Sequence, residues 1–236
     1  MFVAGATGYT GREVVRECVA RGLRTVAHVR PDSSRLSDWR ARFEDLGAEV
    51  DTTPWTLPSI KATLEQLAPT QVWALVGTTK SRGKGSGSNS AVADTYEAVD
   101  YGLSVLLLEA ALACGSSPRF IYLSAMGADG RPANAYMDVR KRVEAAVRGS
   151  GLPFLFARPA FVSGPDREES RPAERAASRV LDAGLGLLGA LGAKQLVRRY
   201  ASFTGADLAR AMVALACAGS GRALVAETED LRAALG

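Results

Sequence analysis

The chain has few of the residues that build metal centres and disulfide frameworks. Among 236 residues it has one histidine, His28, and three cysteines, Cys18, Cys114 and Cys217. The cysteines are far apart, odd in number and without CxxC or Cys/His spacing, so neither a zinc site nor a disulfide scaffold is encoded. They read as buried thiols of a reducing, cytoplasmic environment. Long apolar runs are also missing: the greasiest stretch, Ala183 to Ala193, is too short and too rich in glycine to span a bilayer. The opening MFVAGATG has no basic region, apolar stretch and cleavage site in series, which argues against export.

Dense charge of one sign is absent as well. There are 29 basic and 25 acidic residues, a net charge of +4. The bases are mostly arginines spread from Arg12 to Arg232, with no stripe of interleaved aromatics, so a nucleic-acid partner is not expected. With 47% apolar and 23% charged residues, the composition is that of a globular protein with one large domain and a sizeable core.

Short apolar runs alternate with amphipathic stretches, the pattern of a parallel sheet wrapped by helices. Strands are predicted at Phe2 to Ala4, Thr25 to Val29, Glu49 to Thr52, Gln71 to Val76, Arg119 to Ser124 and Pro153 to Ala157. Helices are predicted near Thr10 to Arg21, Leu36 to Leu46, Pro58 to Leu67, Ala91 to Ala113 and Tyr136 to Arg148. Lys80 to Ser90 lacks apolar residues and reads as a loop. After Arg158 come a charged patch, the glycine-rich segment, a helix near Ala206 to Ala218, and a last strand and helix. The fold class expected is a doubly wound α/β domain over residues 1–236, with 159–236 forming a small substrate-side annex.

GATGYTG places Gly5, Gly8 and Gly11 directly after the first strand and at the mouth of a helix. Glycines there permit the tight turn, let backbone approach a pyrophosphate and allow close helix packing, and the N–H groups that open the helix favour its charge. Thr7, Tyr9 and Thr10 belong to the same turn and are candidate cofactor contacts with it. The second strand bears on which dinucleotide binds. NAD sites place an acid near its end for the ribose hydroxyls, whereas this chain has Arg30, with Arg35 nearby. Their guanidinium groups suit a 2′-phosphate, which points to NADP(H); Asp32 is the alternative, a ribose contact. His28 reads as a packed strand histidine.

GATGYTG, Arg30, VGTT (Val76 to Thr79) and FARPAF (Phe156 to Phe161) resemble the atypical short-chain dehydrogenase/reductases, the NmrA-like group. GTTKSRGKG, LSAMGADG, YMDVRKRVE and DREESRPAE are similar to segments of the Tat-interacting oxidoreductase family. The resemblance covers most of residues 1–175. It implies an NAD(P)-binding Rossmann fold, with Gly77, Thr78 and Thr79 lining the cofactor crevice. It also implies a tyrosine acid, Tyr136, beside a lysine four residues on, and a strand-end serine, Ser124, that holds the substrate carbonyl.

The chain departs from that pattern in two places. Arg140 stands where the lysine belongs, with Lys141 turned about 100° away on the helix. Met126 stands where related enzymes often carry the working hydroxyl. Arg140 can supply positive field but no proton relay, so Tyr136 is either the acid, with Arg140 and Ser124 as adapted partners, or a packing tyrosine. Asp166, Arg167, Glu169 and Arg171 form either an ion-pair lattice or an anion contact, and Trp55 falls where the fold flanks adenine.

Together these readings imply an NADP(H)-dependent reductase acting on a small molecule, or a non-catalytic NADP(H)-binding regulator acting on a protein partner. Titration of both dinucleotides into the protein should show tighter binding of NADP(H). Replacing Arg30 by alanine should weaken NADPH by about ten- to a hundredfold, the worth of a charge-assisted bond, and leave NADH nearly unchanged.

Overall fold

The computed structural model describes residues 1–77, 96–162, 202–219 and 223–236. Thr78, Thr79, the 80–90 loop, the Asp166 to Arg171 charges and the Ala183 to Ala193 segment lie outside the described residues.

Strands β1 (Phe2–Ala4), β2 (Val26–His28), β3 (Glu49–Asp51), β4 (Gln71–Ala74), β5 (Arg119–Leu123), β6 (Phe154–Arg158) and β7 (Ala223–Glu227) form one sheet in the order β3-β2-β1-β4-β5-β6-β7. Every neighbouring pair is parallel. The order reverses at β1, where the chain crosses from β3 back to β4, so the carboxyl ends of β1 and β4 flank a switch point, the place where open α/β sheets leave a crevice.

The strands alternate their side chains between two apolar layers. Val3, Trp73, Ile121 and Leu155 pack on helices α1 (Tyr9–Ala20), α2 (Leu36–Asp45), α6 (Gly205–Cys217) and α7 (Thr228–Ala233). Phe2, Val72, Phe120, Tyr122 and Phe156 pack on α3 (Leu57–Leu67), α4 (Leu103–Ala113) and α5 (Ala135–Gly149). Helices α3, α5 and α6 each open on a threonine or asparagine side chain that satisfies an early N–H. Thr56 accepts from Ser59 at α3, Asn134 from Met137 at α5 and Thr204 from Asp207 at α6.

The element boundaries agree with the sequence reading to within one or two residues, with three differences of substance. The helix expected over Ala91 to Ala113 is π-helical from Tyr96 to Gly102 and becomes α-helical only at Leu103. The Ser104 hydroxyl bonds the Asp100 carbonyl four residues back at 2.6 Å, a side-chain competitor for the backbone ladder. In the tail, the described residues 202–219 and 223–236 build into the main layers: β7 extends the sheet beside β6, and α6 packs along α1. Cys217 is exposed, whereas Cys18 and Cys114 are buried as expected.

Ile121 is fully buried at the centre of β5, between Trp73 and Leu155 on the flanking strands. Ile121→Ala should cost about 2–5 kcal/mol, the range for a cavity in a close-packed core. Urea unfolding checks this, as a lower midpoint at unchanged slope.

Candidate functional site

At the corner between β1, α1 and β4, backbone packs directly on backbone at Gly5 and Gly11. Gly5 has φ +81°, and a Cβ there would lie 2.5 Å from the carbonyl carbon and oxygen of Leu75, just beyond β4. The Gly8 N–H donates to the Gly5 carbonyl at 3.0 Å, closing the turn. A Cβ on Gly11 would stand 2.1 Å from the Gly5 oxygen. Helix α1 therefore starts in contact with the turn, and its N-cap, Gly8, provides no side-chain cap. An uncapped helix start against the switch point is the arrangement that receives a phosphate.

Beyond the β2 edge, Arg30 reaches Asp32 at 3.3 Å, with both side chains largely exposed, a pairing of little energetic weight. Arg35 lies 3.6 Å from Asp38, its guanidinium 5.1 Å from the Trp39 ring centre. His28 is packed: its Nε2 meets the Thr53 carbonyl at 2.8 Å, and the Trp55 ring stands edge-on at 4.8 Å. A carbonyl only accepts, so Nε2 carries the proton. Burial holds the imidazole below its ordinary pKa, partly opposed by the Thr53 bond and Asp51. Asp51 itself accepts from the Thr53 N–H and hydroxyl.

On the other side of β4 lies a buried guanidinium. Arg140, on the inner face of α5, donates through Nη1 to the Tyr122 hydroxyl at 2.8 Å and to the Leu123 carbonyl at 3.0 Å. Its Nη2 donates to Asp100 Oδ1 at 2.9 Å. The guanidinium carbon is 4.8 Å from the centre of the Tyr136 ring, within cation–π range. Burial works against the Arg140 charge, but the tyrosines and Asp100 more than offset it, so the group is held above its ordinary value. Burial pushes Tyr122 up to about 12 despite the arginine beside it.

One turn further along α5, buried Glu144 accepts the Ser124 hydroxyl at 2.7 Å and a two-point contact from Arg158 at 2.9 and 2.6 Å. Arg158, at the end of β6, also reaches Asp129 at 2.8 Å and Glu227 at 2.7 Å. The Glu144 bond and the two other carboxylates raise the Arg158 pKa against its burial, and Arg158 lowers that of Asp129. Ser124 thus gives its proton to a carboxylate and faces any other group as an acceptor.

Residues 5–181 match the family described as NAD(P)H-binding. The chain belongs to this NAD(P)H-binding family. Over 179 residues it is 31% identical to the protein TIC 62, chloroplastic, of Oryza sativa subsp. japonica; the match covers 70% of this chain but spans only 35% of that protein's length. Among solved structures, the UDP-Glc/GlcNAc 4-epimerase of Campylobacter jejuni superposes with a TM-score of 0.67 at 14% identity, over 96% of this chain and 77% of that one. A mutant short-chain dehydrogenase/reductase of Serratia marcescens gives 0.63 at 13% identity, over 98% and 96%. Those two likenesses show the fold alone. The family assignment accords with the resemblance to the atypical short-chain dehydrogenase/reductases.

In this family member, the structure gathers Gly5, Thr7, Gly8, Tyr9, Thr10 and Gly11 at one corner, with Gly77 just beyond β4. Tyr136 and Arg140 stack on α5, and the Ser124 hydroxyl is bonded to Glu144, one turn further along that helix. Asp100, Tyr122, Glu144 and Arg158 are the charged or polar partners that sequence reasoning missed. The available signals were an acid within an apolar helix pattern and an arginine closing an apolar strand.

A methyl group at Gly11 meets backbone that has no room to give. Gly11→Ala should therefore lower NAD(P)H affinity by about tenfold or more, whereas Gly149→Ala, with nothing within 4 Å of the added carbon, should leave it unchanged. Dinucleotide titration of the two variants checks the contrast.

Proposed function

We propose that the protein is an NADP(H)-dependent reductase that transfers a hydride to a small carbonyl or related electrophile, with Tyr136 as the proton donor. The observation that carries this reading is the tight glycine corner at the switch point, with α1 opening uncapped upon it. The residues present fit the coenzyme. Gly5, Gly8 and Gly11, with Thr7, Tyr9 and Thr10, would hold the diphosphate, Arg30 and Arg35 the 2′-phosphate, and Gly77, Thr78 and Thr79 the wall toward the nicotinamide. When bound, the reduced nicotinamide supplies the hydride.

Tyr136 would give its phenolic proton to the substrate oxygen, with the fixed positive charge of Arg140 4.8 Å from the centre of its ring. Arg140 does not pass on a proton, because a guanidinium does not titrate in this range. Unpaired Cys18, Cys114 and Cys217 support a reducing cytoplasm as the compartment. Among the described residues, no helix is long and apolar enough to cross a membrane.

A second reading has its own support. Ser124 spends its hydroxyl on Glu144, and Arg140 is committed to Asp100, Tyr122 and Leu123. That favours a non-catalytic NADP(H) binder that reports redox state to a protein partner.

Incubation with NADPH and a panel of quinones, aldehydes and ketones, followed by nicotinamide absorbance, separates the two. The reductase reading expects turnover that falls by about a hundredfold or more in Tyr136→Phe, the scale of a lost general acid. Turnover unchanged in that variant removes the acid role. No turnover with any substrate, at micromolar NADPH affinity, selects the regulator.

A further inference from the structure

We propose that Asp100 is a positioning residue for the nicotinamide half of the coenzyme, acting through Arg140. This rests on the NADP(H) reading above and adds to it a residue that neither the glycine motif nor the family resemblance singles out. Asp100 is 1% exposed and lies in the π-helical segment before α4, an irregularity that occurs frequently at functional sites.

The placement of the pair ties it to the crevice. Gly77 follows β4 at the carboxyl edge, and a Cβ built on it would lie 3.5 Å from Asp100 Oδ1 and 3.7 Å from Arg140 Nη2. The ion pair therefore stands against the backbone of Gly77 on one side, with the Tyr136 ring 4.8 Å from the guanidinium carbon. Arg140, itself 6% exposed, has two of its three nitrogens bonded to protein, while its Nε is buried without a partner among the described residues. Native interiors rarely leave such a donor unmet, and a nicotinamide half seated against this pair would bring hydroxyl and carbonyl oxygens able to accept from the guanidinium.

Asp100 is the carboxylate that fixes this guanidinium. The charge of Arg140 is then held at one place between Gly77 and the Tyr136 ring, where a flexible cation would move with each ligand. A pair built only to join two helices gives a poor account of this arrangement, because buried ion pairs add little net stability over apolar contacts.

The test compares two probes on the full chain: NADPH and adenosine 2′,5′-bisphosphate, which is the adenine half alone. Asp100→Asn should weaken NADPH by about tenfold, on the scale of a lost charge-assisted bond, and change bisphosphate affinity by less than about twofold. Should that variant fail to fold with its arginine uncompensated, Asp100→Asn combined with Arg140→Gln removes both charges and is expected to show the same selective loss. Equal loss for both probes in a folded variant, or loss for neither, overturns the inference and leaves the coenzyme reading intact. A wild-type chain that binds neither probe overturns both.

Discussion

The carboxyl edge of the sheet depends on how closely the first helix can approach the turn before it. A carbon on Gly11 would fall 2.1 Å from the Gly5 oxygen, and one on Gly5 would fall 2.5 Å from the backbone of Leu75. β1, β4 and α1 can share a corner only while both positions stay bare. The same corner is where the strand order reverses, so the constraint that packs the fold also opens the crevice. Packing and binding cannot be separated there: any side chain that fills the gap must move backbone first.

A second constraint is the burial of charge along α5. Val139, Val143 and Val147 seat that helix on the sheet, and Arg140 and Glu144 follow the first two of them into the protein. The two charges lie one turn apart, yet each takes its main partners from other elements: Arg140 from Asp100, Tyr122 and Leu123, and Glu144 from Ser124 and Arg158. A single buried charge is costly, and its partners must be present together. The result is two separate clusters, one behind Gly77 and one at the ends of β5 and β6, held in step by one helix.

The glycine corner was legible in the sequence because its geometry dictates residue type. Only glycine satisfies the contacts at Gly5 and Gly11, and a strand before and a helix after fix what those glycines do. The strand and helix order was legible for a related reason, since apolar periodicity reports directly which face is covered. The charged clusters were not legible. Asp100 meets Arg140 across 40 residues of sequence, and the π-helical turns that present it break the steps of three and four from which a helix face is read. Likewise Ser124 directly follows β5, which ends one residue earlier than expected, but nothing in its neighbourhood announces Glu144, 20 residues on, as the acceptor of its hydroxyl.

What separates a reductase from a silent coenzyme binder in this scaffold is a small set of proton positions. A lysine beside Tyr136 could lose and regain a proton within a catalytic cycle; Arg140 keeps its charge throughout, so the phenol has a fixed field and no relay through that neighbour. A Ser124 hydroxyl free to turn could donate to a carbonyl, but one bonded to Glu144 must first exchange a charge-assisted bond for a neutral one, which is weaker by roughly half. Carbonyl reduction assisted by Ser124 therefore requires that hydroxyl to rotate away from Glu144 when substrate enters, which sets a cost on the reductase reading that the silent binder does not bear.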